Sequence, residues 1–578
     1  MRSAASMGMG ASRVEERMLS AMGLSHAAPL EFESCEAIPS GGVLFLLPFL
    51  LECGLLSYGN QYQQRKGYYT FNTLFIILAL CFLCRIKSIE QIKRYSPGEF
   101  GKLVGYDRIP EVRTIRYMIK EITNQKCCES WASELSKCWI EDEAPEIYYI
   151  DGHVQVYHGD LANLGKKHVS RQRLCLPGMM EFWVNASDGA PYFFITSQVN
   201  EKMIEMIERK IVPQLLKLHP VSPEHRKLME ENKKVPLFTI VFDREAWSPD
   251  FFARLWDDHR IAIITYRKNV KNKWDESLFE DYKVNTTMGE VTMKLHEQNC
   301  DVPNCFMREV RKLGDDGHQT SIVTTNQIIK IESIASQMFA RWGQENFFRY
   351  MRQDFALDKI IQYSVDEIDT NLKVVNHEYS NITYQIKKER EKLGRREAKL
   401  YEYQEKNPLH QEDENENKKW MKKSMELYEE IQEVKKHIDE LINKRKDIPY
   451  KITIGEMPQN VRYNRLNKES KILTNVIKMI CYRAETAFSR LLAPHYKRAD
   501  EEIRMLIKTI IGTPINMEVD RENRKLIITL FPLPNLRSNE AVSKICDLLN
   551  ETNTVYPDTN LMLVFKITTI KFDPNQEF

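Results

Sequence analysis

Apolar and polar positions change period several times along the 578 residues. Between residues 145 and 267, short apolar runs alternate with amphipathic stretches. Ile147-Tyr148-Tyr149-Ile150 and Leu237-Phe238-Thr239-Ile240-Val241-Phe242 are almost continuously apolar, as expected of strands buried on both faces. Further strands are predicted at 172–176, 182–186 and 192–195, the last two flanking the strong hairpin turn Asp188-Gly189. Residues 200–218 and 249–257 read as helices and 261–267 as a strand. Antiparallel strands followed by strand-helix-strand predict a mixed-sheet α/β core.

The flanking regions carry other periods. Residues 41–125 read as all-helical. Helices at 88–95, 99–104 and 111–122 are separated by Ser96-Pro97-Gly98, Gly105 and Pro110. On the last, Val112, Ile115, Ile119 and Ile122 share one face, and Arg113, Arg116 and Lys120 the other. This fits a helix-turn-helix whose basic face binds DNA, or more plainly an amphipathic helix with a solvated face. Strands at 291–296, 305–313 and 320–324 predict a β-rich insertion over 268–325, ahead of a helix at 328–355. Val375, Tyr379, Ile382, Ile386, Leu393 and Leu400 recur at three- and four-residue steps, as do Trp420, Leu427, Ile431, Val434, Ile438 and Leu441. These two series predict a helical hairpin, read as an antiparallel coiled coil. The tail predicts a helix at 469–492, strands at 515–519 and 525–531, a helix at 539–549 and a strand at 561–567. The expected organisation is thus a poorly ordered 1–40, a helical DNA-binding domain at 41–142, a catalytic core at 143–365, the coiled-coil hairpin at 366–448 and a small α+β module at 449–578.

Composition narrows the class. The chain is 43% hydrophobic and 28% charged, which is globular. Its net charge of +1 requires any nucleic-acid surface to come from segregated charge. The apolar stretches 43–56 and 69–84 fall short of the ~20 residues a spanning helix needs. Pro48 and Glu52 interrupt the first and Asn72 the second, so both are expected as buried helices, with no membrane partner. No basic segment and cleavage site of a secretory signal is seen. Twelve cysteines without a framework read as reduced thiols of a cytoplasmic protein. His296, Cys300, Cys305 and His318 fit no common zinc spacing.

The candidate chemistry rests on carboxylates. Asp151 and Asp243 each follow an apolar run, as if delivered at the tip of a buried strand, and Glu345 lies on the helix that follows the insertion. Three acids without His or Cys suit hard divalent cations such as Mg2+ or Mn2+. Two such ions can clamp the attacking and leaving oxygens of a phosphoryl displacement. Gly152 leaves room for a phosphate. Basic residues that could bind the DNA backbone are Lys166, Lys167, Arg171 and Arg173, together with Arg341, Arg349 and Arg352. Arg341 and Glu345 are four apart and share a helix face, where a structural ion pair is the plain reading. Asp160 is a rival for the first acid, Asp188 serves the hairpin turn, Glu245 could support Asp243, and Glu332 lies too far back along the helix.

On these residues the chain resembles bacterial insertion-sequence transposases of the DDE class. The branch in question carries Tyr-x2-Arg-x3-Glu-x6-Lys on its glutamate helix, where this chain has Met338, Arg341, Glu345 and Arg352. Met338 departs from the tyrosine and Arg352 keeps the charge. The blocks Tyr149-Ile150-Asp151-Gly152-His153-Val154, Val241-Phe242-Asp243-Arg244-Glu245 and Arg85-Ile86-Lys87-Ser88-Ile89-Glu90-Gln91 also resemble that group. The resemblance implies an RNase H-like core with Asp151, Asp243 and Glu345 as catalytic and metal-binding residues for two Mg2+ or Mn2+ ions. It implies hydrolysis of transposon ends and transfer of the freed 3′-hydroxyls into target DNA. Terminal inverted repeats and target DNA would be the partners, met by a homodimer or larger synaptic complex at the bacterial nucleoid. A metal-dependent nuclease or resolvase without strand transfer, and an inactive DNA-binding descendant, stay open as alternatives.

Overall fold

The apolar runs at 147–150 and 237–242 become two neighbouring interior strands of a ten-stranded sheet. The structure is a computed structural model. It describes residues 11–568 apart from 26, 64–66, 160–163, 165, 170–172, 198–200, 271, 287–288, 301–304, 358–364, 368–369, 372, 408–413, 458–463, 467 and 499. Strand β1 (Cys35–Ile38) lies outside the large sheet, which is built from β2 (Ile147–Val156), β3 (Lys166–Val169), β4 (Leu174–Asn185), β5 (Pro191–Ser197), β6 (Phe238–Phe242), β7 (Ile261–Tyr266), β8 (Glu280–Thr286), β9 (Gly289–Cys300), β10 (Met307–Leu313) and β11 (Gln319–Thr324). Its order is β4-β2-β6-β7-β11-β10-β9-β8, with β3 and β5 also paired to β4. β2, β6 and β7 are parallel, and the remaining pairings are antiparallel. The four strands of the 268–325 segment therefore widen the same sheet.

Strand parity sorts the side chains between two layers. Tyr149, Val241 and Ile264 point to one face, where they pack with Ile334, Ala335 and Met338 of the glutamate helix Ile331–Phe355. Tyr148, Ile150, Ile240, Phe242 and Ile263 point to the other face and join the main core with Ile207, Ile211, Phe251 and Phe252. Asp151 has the parity of Tyr149, and Asp243 that of Val241, so both fall on the glutamate-helix side.

Several expectations change. The strands read at 172–176 and 182–186 are one strand, β4, running through Pro177-Gly178. Gly178 permits the close passage, since a Cβ there would lie 2.3 Å from the Gln155 carbonyl oxygen. The helix Pro223–Glu231 had no strong apolar period, and it buries no residue. The predicted helix at 88–95 is a 3-10 segment, Ile89–Arg94, followed by Pro97–Lys102 and Val112–Asn124.

The chain ends also correct the expected boundaries. β12 (Val365–Glu367), β13 (Lys373–Val375), β14 (Lys451–Thr453) and β15 (Asn464–Leu466) form two short ribbons, β12 with β15 and β13 with β14. Between them the helices His377–Lys406 and Glu414–Lys446 pack through Ile382, Ile386, Val434, Ile438 and Leu441. β16 (Ile515–Asp520), β17 (Lys525–Leu530) and β18 (Met562–Ile567) form a second sheet whose edge is β1. Residues 11–40, expected to be poorly ordered, thus supply a strand to the C-terminal sheet; residues 1–10 lie outside the described part. Phe45 packs on Phe565 and Phe49 on Phe488, with ring centroids 4.9 and 5.3 Å apart. Residues 43–50 are buried against the C-terminal region, and among the described residues no helix is long and apolar enough to cross a membrane.

The helix Glu469–Leu492 is buried along most of its length, including Lys471, Lys478 and Glu485. Its lysines are satisfied by backbone: Lys471 Nζ donates to the Leu357 carbonyl at 2.8 Å and Lys478 Nζ to that of Ala356 at 3.2 Å. Both carbonyls follow the end of the glutamate helix, where cationic partners are favourable.

One half-buried histidine makes stability depend on pH. His219 Nδ1 faces the Tyr148 hydroxyl at 2.9 Å, and its ring lies 4.8 Å from Phe238. Burial pushes its pKa down to about 4. The unfolded chain therefore takes up this proton first, and stability falls as pH drops from about 6.5 to about 4; the full shift would carry about 3 kcal/mol, reduced to roughly 2 kcal/mol by the ring's partial exposure. His219→Gln is expected to remove that slope in urea unfolding. An unchanged slope would show that other groups carry it.

Candidate active site

β2 and β6 pair in parallel from Ile147 opposite Thr239 to Ile150 opposite Phe242. Asp151 and Asp243 are the next residue on each strand, so the two acids stand side by side. Asp243 is at the expected strand tip and caps the turn Arg244–Ala246, its Oδ1 accepting from the Arg244 amide at 2.7 Å. Asp151 is not at a tip. Its strand continues to Val156 because β4 pairs along the other edge, placing Trp183 opposite Asp151. Asp151 thus sits where pairing to β6 stops, and its Oδ1 accepts from the Gly152 amide at 2.8 Å.

Glu345 reaches the same place from the glutamate helix, and Arg341 ties it to Asp151. Arg341 Nη2 donates to Glu345 Oε1 at 2.6 Å, and Nη1 lies 3.7 Å from Asp151 Oδ2. The side chains of Arg341, Asp151 and Glu345 are 14%, 25% and 46% exposed. Burial pushes the Asp151 carboxyl up to about 6; Arg341 and the Gly152 amide pull it down, and the charges of Asp243 and Glu345 push it further up. The three acids therefore share one electrostatic neighbourhood. Tyr266, at the end of β7, faces the same charges, although burial is the main reason its pKa is raised.

The donor set is all oxygen, which suits magnesium-type ions. As arranged, however, the Arg341 guanidinium supplies the countercharge between Asp151 and Glu345. Among the described residues no three His, Cys, Asp or Glu side chains stand close enough together to hold a metal ion.

An open groove beside the acids is lined by Asp151, Gly152, His168, Glu345, Arg349 and Arg352, among others. Arg349 also pairs with Glu501 at 2.9 Å, an exposed contact of small value. Arg352 Nε donates to the Phe348 carbonyl at 3.2 Å. Lys166 and Arg173 are exposed on and beside β3. Arg171 and the Lys167 side chain lie outside the described residues, as does the rival acid Asp160. Arg113, Arg116 and Lys120 are exposed together on Val112–Asn124, with Arg116 paired to Glu90. Asp188 accepts from the Ala190 amide in its turn and pairs with Arg490, and Glu245 is exposed.

Three side chains near the acids were not singled out from the sequence. His153 stacks on Phe348 at 5.0 Å, Trp342 is 58% exposed at the rim of the groove, and Tyr266 lies within the field of Arg341, Asp243 and Glu345. Two were legible in principle. His153 has the strand parity of Asp151, and Trp342 is one helical turn before Glu345.

Comparison with known proteins points to one family. No curated protein matches the chain. Among solved structures, the chain is similar to that of a piggyBac transposase synaptic complex with hairpin DNA, at 11% identity over 54% of this chain and 67% of that one. The TM-score is 0.26, too low to bear on the fold. A family model described as transposase protein matches residues 8–569, so the chain belongs to this family of transposases.

Proposed function

We propose that the chain is a DDE-class transposase with an RNase H-like core, of the kind carried by bacterial insertion sequences. The observation that carries this reading is the register of Asp151 and Asp243 on neighbouring parallel strands, under a helix that brings Glu345 into the same charge cluster. The mixed sheet, with antiparallel strands before the parallel ones, supports the core assignment. Two Mg2+ or Mn2+ ions held by these carboxylates would activate the attacking oxygen and neutralise the leaving one.

The chain's own residues do the rest. Asp151, whose charge is coupled to those of both Asp243 and Glu345, would hold the ions together with them. Arg341 holds Asp151 and Glu345 together, and its planar fork would suit a DNA phosphate. Lys166, Arg173, Arg349 and Arg352, with Lys167 and Arg171, would grip the backbone of the cleaved end. Arg113, Arg116 and Lys120 would hold the terminal-repeat duplex. The enzyme would hydrolyse the ends of its element and join their 3′-hydroxyls to target DNA, as a homodimer or larger synaptic complex, in the bacterial cytoplasm at the nucleoid.

The test is an assay of the full chain on DNA from the two flanks of its gene. Mg2+-dependent release of 3′-hydroxyl ends and joined products are expected, with Asp243→Asn and Glu345→Gln at least about 100-fold slower. Cutting that persists in EDTA, or at parental rate in both variants, overturns the assignment. Metal-dependent cutting without joined products selects the nuclease reading.

A further inference from the structure

The glutamate helix carries a glycine where a helix is weakened by one. Gly343 lies in the middle of the 25-residue Ile331–Phe355, and glycine is among the poorest helix formers. The packing gives the reason. A Cβ on Gly343 would lie 2.8 Å from the Ser187 carbonyl oxygen, in the turn joining β4 to β5. From the other side, a Cβ on Gly189 would lie 2.7 Å from the Gly343 carbonyl oxygen. Gly189 has φ +88°, so the turn also needs glycine there. Helix and turn meet backbone to backbone, two residues before Glu345.

The next residue locks that contact. Gln344 is fully buried. Its Nε2 donates to Asn185 Oδ1 at 2.9 Å and faces the carbonyls of Tyr149 at 3.2 Å and Trp183 at 3.3 Å. Tyr149 is two residues before Asp151 on β2, and Trp183 is the residue of β4 opposite Asp151. Asn185 Nδ2 donates in turn to the Gly189 carbonyl at 2.8 Å. One closed set of contacts thus fastens the backbone beside Glu345 to the two strands that hold Asp151.

We infer that Gly343 and Gln344, with Gly189 and Asn185, are positioning residues that set the height of Glu345 above Asp151. This rests on the reading of the two acids as cation ligands. Neither Gly343 nor Gln344 touches the reacting atoms. Adding a methyl group at Gly343 forces the helix off the turn, because the atom it meets is backbone. Gln344→Met keeps the volume and removes the donor.

The consequence is selective between ions. Mg2+ demands near-ideal octahedral geometry, whereas Ca2+ accepts six to eight oxygens in flexible arrangements. Isothermal titration of the full chain with each metal alone, beside thermal melting, tests the inference. Gly343→Ala and Gln344→Met are each expected to raise the Mg2+ midpoint about tenfold and the Ca2+ midpoint less than about threefold. Mg2+-dependent cleavage should fall about 10- to 100-fold, as for a misplaced catalytic group. Parental Mg2+ midpoints in both variants overturn the inference. So does equal weakening of both ions with a lowered melting temperature, which is the signature of a merely structural role. A parental chain that binds neither ion is a separate result: it overturns the metal reading itself, and this inference with it.

Discussion

Replacing Asp151 by Asn is expected to abolish end cleavage and, at the same pH, to make the protein more stable. The two effects have one origin. Asp151 is placed under the glutamate helix beside Asp243 and Glu345, and its carboxyl is pushed up to about 6 by burial and by those charges. A carboxyl whose pKa rises on folding binds its proton more tightly in the native state. The favourable share is complete below about pH 4 and is lost as pH rises through about 6, so at pH 7.5 the native protein carries the cost of an ionised buried acid. Asn cannot ionise. With the side chain 25% exposed, the gain in Asp151→Asn is about 2 kcal/mol at pH 7.5, vanishing toward pH 4. Mg2+ should close the gap by stabilising the parent and not the variant. Cleavage should fall by at least about 10³-fold, since the proposed function makes Asp151 a metal ligand. Denaturation at pH 7.5 and 4.5, with and without Mg2+, checks this; a variant less stable than the parent at pH 7.5 would sink the account of Asp151 as a strained acid.

The largest loss of stability should come from Arg85→Met, far from the acids in sequence. Arg85 Nη2 lies 2.7 Å from Glu485 Oε1 and donates to the Tyr350 hydroxyl at 2.8 Å, and its Nε lies 3.4 Å from Asp354. Tyr350 donates in turn to Glu485 Oε2 at 2.7 Å. Glu485 is fully buried and Arg85 is 18% exposed. The network joins the N-terminal helical region, the last turns of the glutamate helix and the helix Glu469–Leu492. Removing the guanidinium leaves the Glu485 carboxylate in the core with the Tyr350 phenol as its hydrogen-bond partner and the Arg504 charge nearby, which costs roughly 3 kcal/mol, the lower end for a broken buried pair. Arg85→Met combined with Glu485→Leu removes both charges and should recover most of the loss. Urea unfolding of the two singles and the double tests this. Equal losses in Arg85→Met and the double variant would mean that packing, not the stranded charge, is at stake.

Much of the central sheet was legible in advance because its cause is local. Two unbroken apolar runs ended in Asp151 and Asp243, and parallel strands buried on both faces have that composition. Asp188-Gly189 is a turn because glycine takes the φ of +88° there without strain. β4 differs from the two strands expected at 172–176 and 182–186: pairing with β2 and β3 carries it through Pro177-Gly178, where Gly178 leaves room for the Gln155 carbonyl. The stretch 35–56 was assigned to separate units because pairing of β1 with β16 joins residues nearly five hundred positions apart. No window along the chain contains that information.

The sequence by itself determined which residues could carry the chemistry: three carboxylates, each at the end of a run or on a helix whose period is visible within a dozen positions. Tertiary structure alone decided how they meet. The equality of register between β2 and β6 sets Asp151 beside Asp243, Arg341 stands as countercharge between Asp151 and Glu345, and two glycines let a turn rest on the glutamate helix. Periodicity reports which face a side chain takes, because that follows from its own backbone. Distances between faces are set by the packing of many residues at once, and so appear only after the chain has folded.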